Sequence, residues 1–279
     1  MGVLRCAVLS SLLLVPLWGQ ESQPSSSKSR PVVAIVGASV SAGFSCTLMG
    51  IGEPKKNQTM TLKRALGAVW SPDAVLVRDF SDLTTFTDPI GISTKKVELA
   101  KAAEPALVVA VDFLFWFGYG YIRGGNGDEA KARLALLQEG LGLLDQFRCP
   151  IVVGDFPDMT GADPRMLSAR QIPSLEIQAE LNLAVGKWAK GKPNVRLFQL
   201  AEYVKRSKTE GETVESAGKP RKLEPEVLLQ DDHLHATKLG VLVLALRLLP
   251  EIRAAVPEKS QLVPGGVTFE EMAAALRVK

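Results

Sequence analysis

PVVAIVGASVSAG, residues 31–43, is an apolar, β-branched run that meets a glycine and then two serines, Ser39 and Ser41, before a second glycine. Its first half, residues 31–37, has the composition of a strand buried on both faces, as strands of parallel sheets are. Three similar runs lie downstream: AVLVRDF (74–80), ALVVAVDF (106–113) and PIVVGDF (150–156), with VRLFQL (195–200) as a weaker fifth. Helical patterns fill the intervals, over about 61–70, 93–103, 128–147, 174–189 and 237–255. Strands that alternate with helices predict βαβ units, hence an α/β fold of about five parallel strands with helices on both faces.

The rest of the chain fits one body of this kind with short additions. The sequence has 279 residues, 46% hydrophobic and 23% charged, enough apolar material for a large core. Net charge is +3, with no long run of like charge. The densest basic cluster, KPRK at 219–222, sits in a polar, Gly-containing stretch (205–223) that reads as a surface loop or hairpin, so no nucleic-acid partner is expected. Arg5 precedes an uncharged run, residues 6–18, and Gly19; this is the pattern of a secretory signal peptide, too short to span a bilayer comfortably, with a retained N-terminal anchor as the second reading. We therefore expect a signal peptide over 1–20, a Ser-rich linker over 21–30, the main domain over 31–257 and a C-terminal extension over 258–279. The location that follows is extracytoplasmic, secreted or periplasmic. In the extension, Thr268 and Glu271 have capping-box spacing and predict a short helix. Removal of Cys6 with the signal leaves Cys46 and Cys149, either as a disulfide or as two buried thiols; no CxxC pair suggests structural zinc.

In open α/β sheets, ligands bind beyond the carboxyl ends of the strands. A serine in the turn after the first strand is placed there, either as a nucleophile or simply as a helix cap. A dinucleotide fingerprint is disfavoured, because Ser39 stands where its second glycine should be. Near the other end of the chain lies QDDHLHATKLG, residues 230–240, which holds both histidines of the protein. Asp232 and His235 are three residues apart, so a carboxylate and an imidazole share one side of a turn. The carboxylate holds one ring nitrogen and leaves the other for a hydroxyl, which is how a serine is activated. His233 should point elsewhere.

G-A-S-V-S after the first strand and D-H-L-H-A-T-K-L-G before the last helix resemble the first and last blocks of the SGNH, or GDSL-type, hydrolases. Those blocks usually read G-D-S-x-S and D-x-x-H, the latter often D-G-L-H-P-T-x-x-G. The resemblance implies a three-layer, flavodoxin-like fold and hydrolysis of esters of carbohydrates or lipids through an acyl-enzyme, with no cofactor and no metal. It makes Ser39 the nucleophile, His235 the general base and then acid, and Asp232 the group that orients His235. Ala38 replaces the aspartate of the first block. The family's oxyanion-hole glycine and asparagine have no counterparts: the second strand leads into DFSDLT (79–84) and the third into DFLFWFGYG (112–120). Asn126 lies further on and does not align. Main-chain donors near Ser81 and Asp82 are then the substitutes to look for. An ionised Asp112 in the asparagine's place would repel an oxyanion. Asp155 and Asp158, after the fourth strand, are candidates for substrate hydroxyls or for plain turn chemistry. The aromatic run 113–121 is either packing or a substrate wall. The expected partner is a small-molecule, glycan or lipid ester. The alternative is a catalytically impaired binding protein of the same fold for an extracytoplasmic glycan or lipid.

Overall fold

A computed structural model describes residues 2, 29–122 and 128–278. The expected signal peptide (residue 2 apart), most of the Ser-rich linker and Asn126 lie outside the described residues. In chain order the elements are β1 (Val32–Ile35), α1 (Ser39–Ala42), α2 (Leu62–Gly67), β2 (Leu76–Asp79), α3 (Pro89–Ala102), β3 (Leu107–Ala110), α4 (Phe115–Gly118), α5 (Glu129–Leu144), β4 (Ile151–Gly154), α6 (Leu175–Lys190), β5 (Val195–Phe198), α7 (Leu200–Thr209), β6 (Glu212–Ser216), β7 (Lys219–Leu223), α8 (Pro225–Leu228), α9 (Lys238–Ala255) and α10 (Phe269–Leu276), with 3₁₀ turns at Cys46–Met49 and Ala169–Gln171.

Five strands form one parallel sheet in the order β2-β1-β3-β4-β5, which is the flavodoxin-like order. Its central strands, LVVA in β3 and IVVG in β4, are buried throughout. The outer strands β2 and β5 carry Arg78 and Arg196, because an edge leaves part of the backbone and one row of side chains near water. Alternate residues of β1 serve two separate cores. Val33 and Ile35 pack with α2, α9 and α10, whereas Ala34 and Val36 pack with α3, α5 and α6. This is the period-2 alternation of a strand between two helical layers, and the fold is a three-layer α/β/α arrangement.

Helix α9 gives the first core Leu242, Leu244, Leu248 and Ile252, all buried. Burying each is worth about 1.5–3 kcal/mol. Thr237 caps this helix by accepting from the Gly240 N–H at 3.1 Å. Among the described residues, no helix is long and apolar enough to cross a membrane.

Two segments refine the sequence reading. Of the loop and hairpin readings of 205–223 the hairpin holds from Glu212 onward, with KPRK inside β7, but the stretch begins inside α7, a helix the sequence reading did not include. The hairpin is anchored by Glu212, whose buried carboxylate meets both Arg206 and Arg247 at 2.8 Å. The C-terminal segment is firmly seated. Thr268 and Glu271 do form a capping box, and Phe269, Met272 and Leu276 of α10 join the core shared with β1.

Candidate active site

The front of the site is the turn from β1 into α1. Helix α1 has four residues, and no side chain of its own turn caps it. The cap comes from the end of β3 instead. One oxygen of Asp112 accepts from the Val40 and Ser41 N–H groups at 2.9 and 3.0 Å, and the other accepts from Ser41 Oγ at 2.6 Å. Gly37 makes this possible, since a Cβ there would run into Asp112 and Ser41. Gly43 closes the helix with φ of +75°. Ser41 is therefore a structural serine. Ser39 is left half-buried at the sheet's carboxyl edge, between the ends of β1 and β3, where the strand order reverses direction.

The rear of the site is a tight turn before α9. Asp232 Oδ1 accepts from the N–H groups of Leu234 and His235 at 3.1 and 3.0 Å, and His233 between them adopts φ of +53° with its side chain exposed. The same carboxylate presents Oδ2 to His235 Nδ1 at 2.6 Å. His235 Nε2 lies 2.8 Å from Ser39 Oγ. Asp232 and His235 are both buried. Burial alone would raise the pKa of Asp232, but the hydrogen bond and positive charge that His235 offers, with the two amides, hold it below the ordinary carboxylate range. An ionised carboxylate only accepts, so in the neutral imidazole the ring proton sits on Nδ1 and leaves Nε2 free to accept from the serine.

Two residues that the sequence did not single out hold front and rear together. Gln230, almost fully buried, accepts from Cys46 N–H at 2.9 Å and donates to the carbonyls of Phe44 and Ala236, each at 2.8 Å. Phe44 lies against the His235 ring with centroids 4.7 Å apart. A glutamine before a pair of aspartates carries no signal of such a role. Asn57 adds a second tie, since its Oδ1 accepts from the Asp231 N–H at 2.9 Å.

The other predicted site residues are engaged elsewhere. Ser81 gives both its N–H and its hydroxyl to Asp79, and the Asp82 N–H donates to the Gly37 carbonyl. The donors expected near Ser81 and Asp82 are thus occupied by their own loop. The Asp82 side chain binds Thr84 and Lys96. Asp155 caps α7 through the Ala201 N–H at 2.7 Å, and Asp158 accepts from Thr160. Asp112 does not take the family's asparagine position as a free carboxylate, because its oxygens hold α1. Burial raises its pKa, against the pull of Ser41 and the amides of Ala38 and Val40. Among the described residues the Ser39 N–H has no acceptor.

Ser39 and His235 line a cleft of about 1100 Å³. The aromatic run divides between the two readings. Phe113 and Phe117 are core only, while Trp116 and Tyr119, though buried, and exposed Tyr121 border the cleft together with Phe44 and Phe86. Arg165 and Asp88 supply the cleft's charges. Among the described residues, no group of three or more His, Cys, Asp or Glu side chains is arranged to hold a metal ion. Cys46 and Cys149 are both free thiols, and burial pushes the Cys149 thiol up to about 11.

The fold and these distances define an α/β protein of flavodoxin-like strand order, with a serine, a histidine and an aspartate in hydrogen-bond sequence at the carboxyl edge of its sheet. No protein-family profile matches the chain, and no curated protein does. Among solved structures the chain is similar to a gut microbial diltiazem-metabolizing enzyme, with 11% identity and a TM-score of 0.48. That match covers 80% of this chain and 46% of the other, so this chain spans less than half the length of that enzyme.

Proposed function

We propose that the protein is an exported serine hydrolase of SGNH type that cleaves carboxylic esters. The observation that carries the reading is the continuous run Ser39 Oγ–His235 Nε2 at 2.8 Å and His235 Nδ1–Asp232 Oδ2 at 2.6 Å, built from opposite ends of the chain. In this reading Ser39 Oγ attacks the ester carbonyl while Nε2 takes its proton. Asp232 stabilises the imidazolium and fixes its orientation. Nε2 then returns the proton to the leaving alcohol, and an acyl-enzyme remains. Water, relieved of a proton by the same nitrogen, releases the acid. The unpaired Ser39 N–H is the donor available to the oxyanion. The cleft of aromatic side chains suits a glycan or lipid ester, and the leader-like residues 1–20 support an extracytoplasmic location.

A short-chain nitrophenyl ester assay tests this. Ser39→Ala and His235→Ala should each lower kcat by about 10⁶, as loss of either member does in a serine protease. Equal turnover by wild type and both variants would remove the reading.

The second reading, a binding protein of the same fold without catalysis, is favoured by one observation: the amides of Ser81 and Asp82 are already taken. Each missing oxyanion donor costs roughly 10²–10³ in rate. A fluorophosphonate probe separates the two, because covalent labelling at Ser39 requires an activated serine, whereas glycan or lipid binding without labelling supports the binding protein.

A further inference from the structure

Ser39 lines two cavities, and only one of them also contains His235. The first is the aromatic cleft of about 1100 Å³. The second is a small cavity of about 60 Å³ on the β4/β5 side, walled by Val111, Phe115, Met159, Leu200, Val204 and Leu244. Asp112, Tyr203, Ser207 and His233 also border it, but Asp112 is turned to Ser41 and Val40, Ser207 Oγ faces the Glu212 carboxylate and the His233 side chain is exposed. We propose that the small cavity receives the acyl group and that the cleft receives the alcohol, which makes the substrate an ester of a short apolar acid with a bulkier alcohol. The inference rests on the esterase reading.

Proton traffic assigns the two spaces. In acylation the Oγ–carbonyl bond forms, the bond from carbonyl to alcohol oxygen breaks, and the serine proton passes through Nε2 to that oxygen. In deacylation a water–carbonyl bond forms, the Oγ–carbonyl bond breaks, and the water's proton returns through Nε2 to Oγ. Both the departing alcohol and the incoming water must therefore lie where His235 faces, which is the cleft. The acyl chain must stay on Ser39 while these exchange, and it needs a space that Ser39 reaches and His235 does not. An apolar cavity stays dry and accepts hydrocarbon. At about 60 Å³ against about 1100 Å³ for the cleft, the cavity has room for a short tail only.

The test is a series of nitrophenyl esters from acetate to decanoate, with wild type, Val204→Phe and Val204→Ala. In wild type kcat/KM should rise about fourfold per methylene over the shortest acids and level or fall well before decanoate. Val204→Phe should abolish the rise. Val204→Ala should move the plateau to a longer chain. A matched series that varies the alcohol at fixed acetate should keep the same ranking in both variants. Thermal unfolding checks that Val204→Phe folds, and Val204→Ala, which cannot overfill the cavity, gives the same answer alone. A Ser39-dependent activity whose chain-length profile is the same in all three proteins overturns this assignment and spares the esterase reading. Variants that alter alcohol preference instead of chain length overturn it equally. Absence of Ser39-dependent turnover for every ester overturns both.

Discussion

Asp112 and Asp232 are two buried aspartates in the same kind of setting. Each accepts from two backbone amides near 3.0 Å and from one side chain at 2.6 Å. Their proton affinities nevertheless move in opposite directions, up for Asp112 and down for Asp232. Burial pushes both upward. Burial weighs more heavily on Asp112, and the side-chain partner differs as well. The imidazole of His235 can carry a compensating positive charge, whereas the hydroxyl of Ser41 cannot. Similar hydrogen bonding thus yields a carboxylate suited to steering a proton acceptor at the rear turn, and a cap that organises backbone at the front turn.

The sharpest way to break this contrast is to neutralise each carboxyl in turn. Asp232→Asn should lower kcat by about 10⁴, because an amide facing Nδ1 favours the wrong tautomer, as in serine proteases. Asp112→Asn touches no reacting atom and acts only by loosening α1. Its loss should stay within about 10², the order expected from misplacing a reacting group by an ångström. Equal losses in a steady-state ester assay would mean that the two aspartates do not have separate tasks.

Stability should separate them again, through pH. Each substitution leaves buried amides poorly paired and should cost about 1–3 kcal/mol. The signs of the pH dependence differ. The folded pKa of Asp232 is depressed, so its contribution is present above the ordinary carboxylate pKa and is lost as pH falls through the folded value. The folded pKa of Asp112 is raised, so its ionisation works against the fold, and stability is lost as pH rises from the ordinary carboxylate pKa towards the raised one. Urea unfolding between pH 3.5 and 7 should therefore show the cost of Asp232→Asn growing with pH and the cost of Asp112→Asn shrinking. Slopes of the same sign would contradict the opposed shifts.

What the sequence made legible follows from where the information lies. The five strands and the helices between them were readable because their apolar period is local, and so was the Thr268–Glu271 capping box. Asp232 and His235 were readable as a pair because one turn contains both. The task of Asp112 was not, since its partners Val40 and Ser41 lie about seventy residues away and nothing local distinguishes a capping carboxylate from a free one. Gln230 was hidden for the same reason, its bonds running to Phe44 and Cys46. For 205–223 the sequence left loop and hairpin both open, because β7 is mostly exposed and carries Pro220, while the hairpin's anchor is an ion cluster rather than an apolar alternation.

The two turns also differ in what they demand of the backbone, and the smallest predictions follow from that. At the front, Gly37 has an ordinary φ but no room for a side chain, because Asp112 and Ser41 fill the space. Gly37→Ala must push that carboxyl off α1 and should cost about 1–3 kcal/mol, as overpacking does. At the rear, His233 has an exposed side chain but a left-handed backbone, φ +53°. That conformation costs a non-glycine residue roughly 1–2 kcal/mol. A glycine there removes the strain yet gives the unfolded chain more freedom, worth about 0.5–1 kcal/mol. His233→Gly should thus be neutral or stabilising by no more than about 1.5 kcal/mol in urea unfolding. A clear destabilisation would mean that the His233 side chain, and not only its backbone, holds the turn that presents Asp232 to His235.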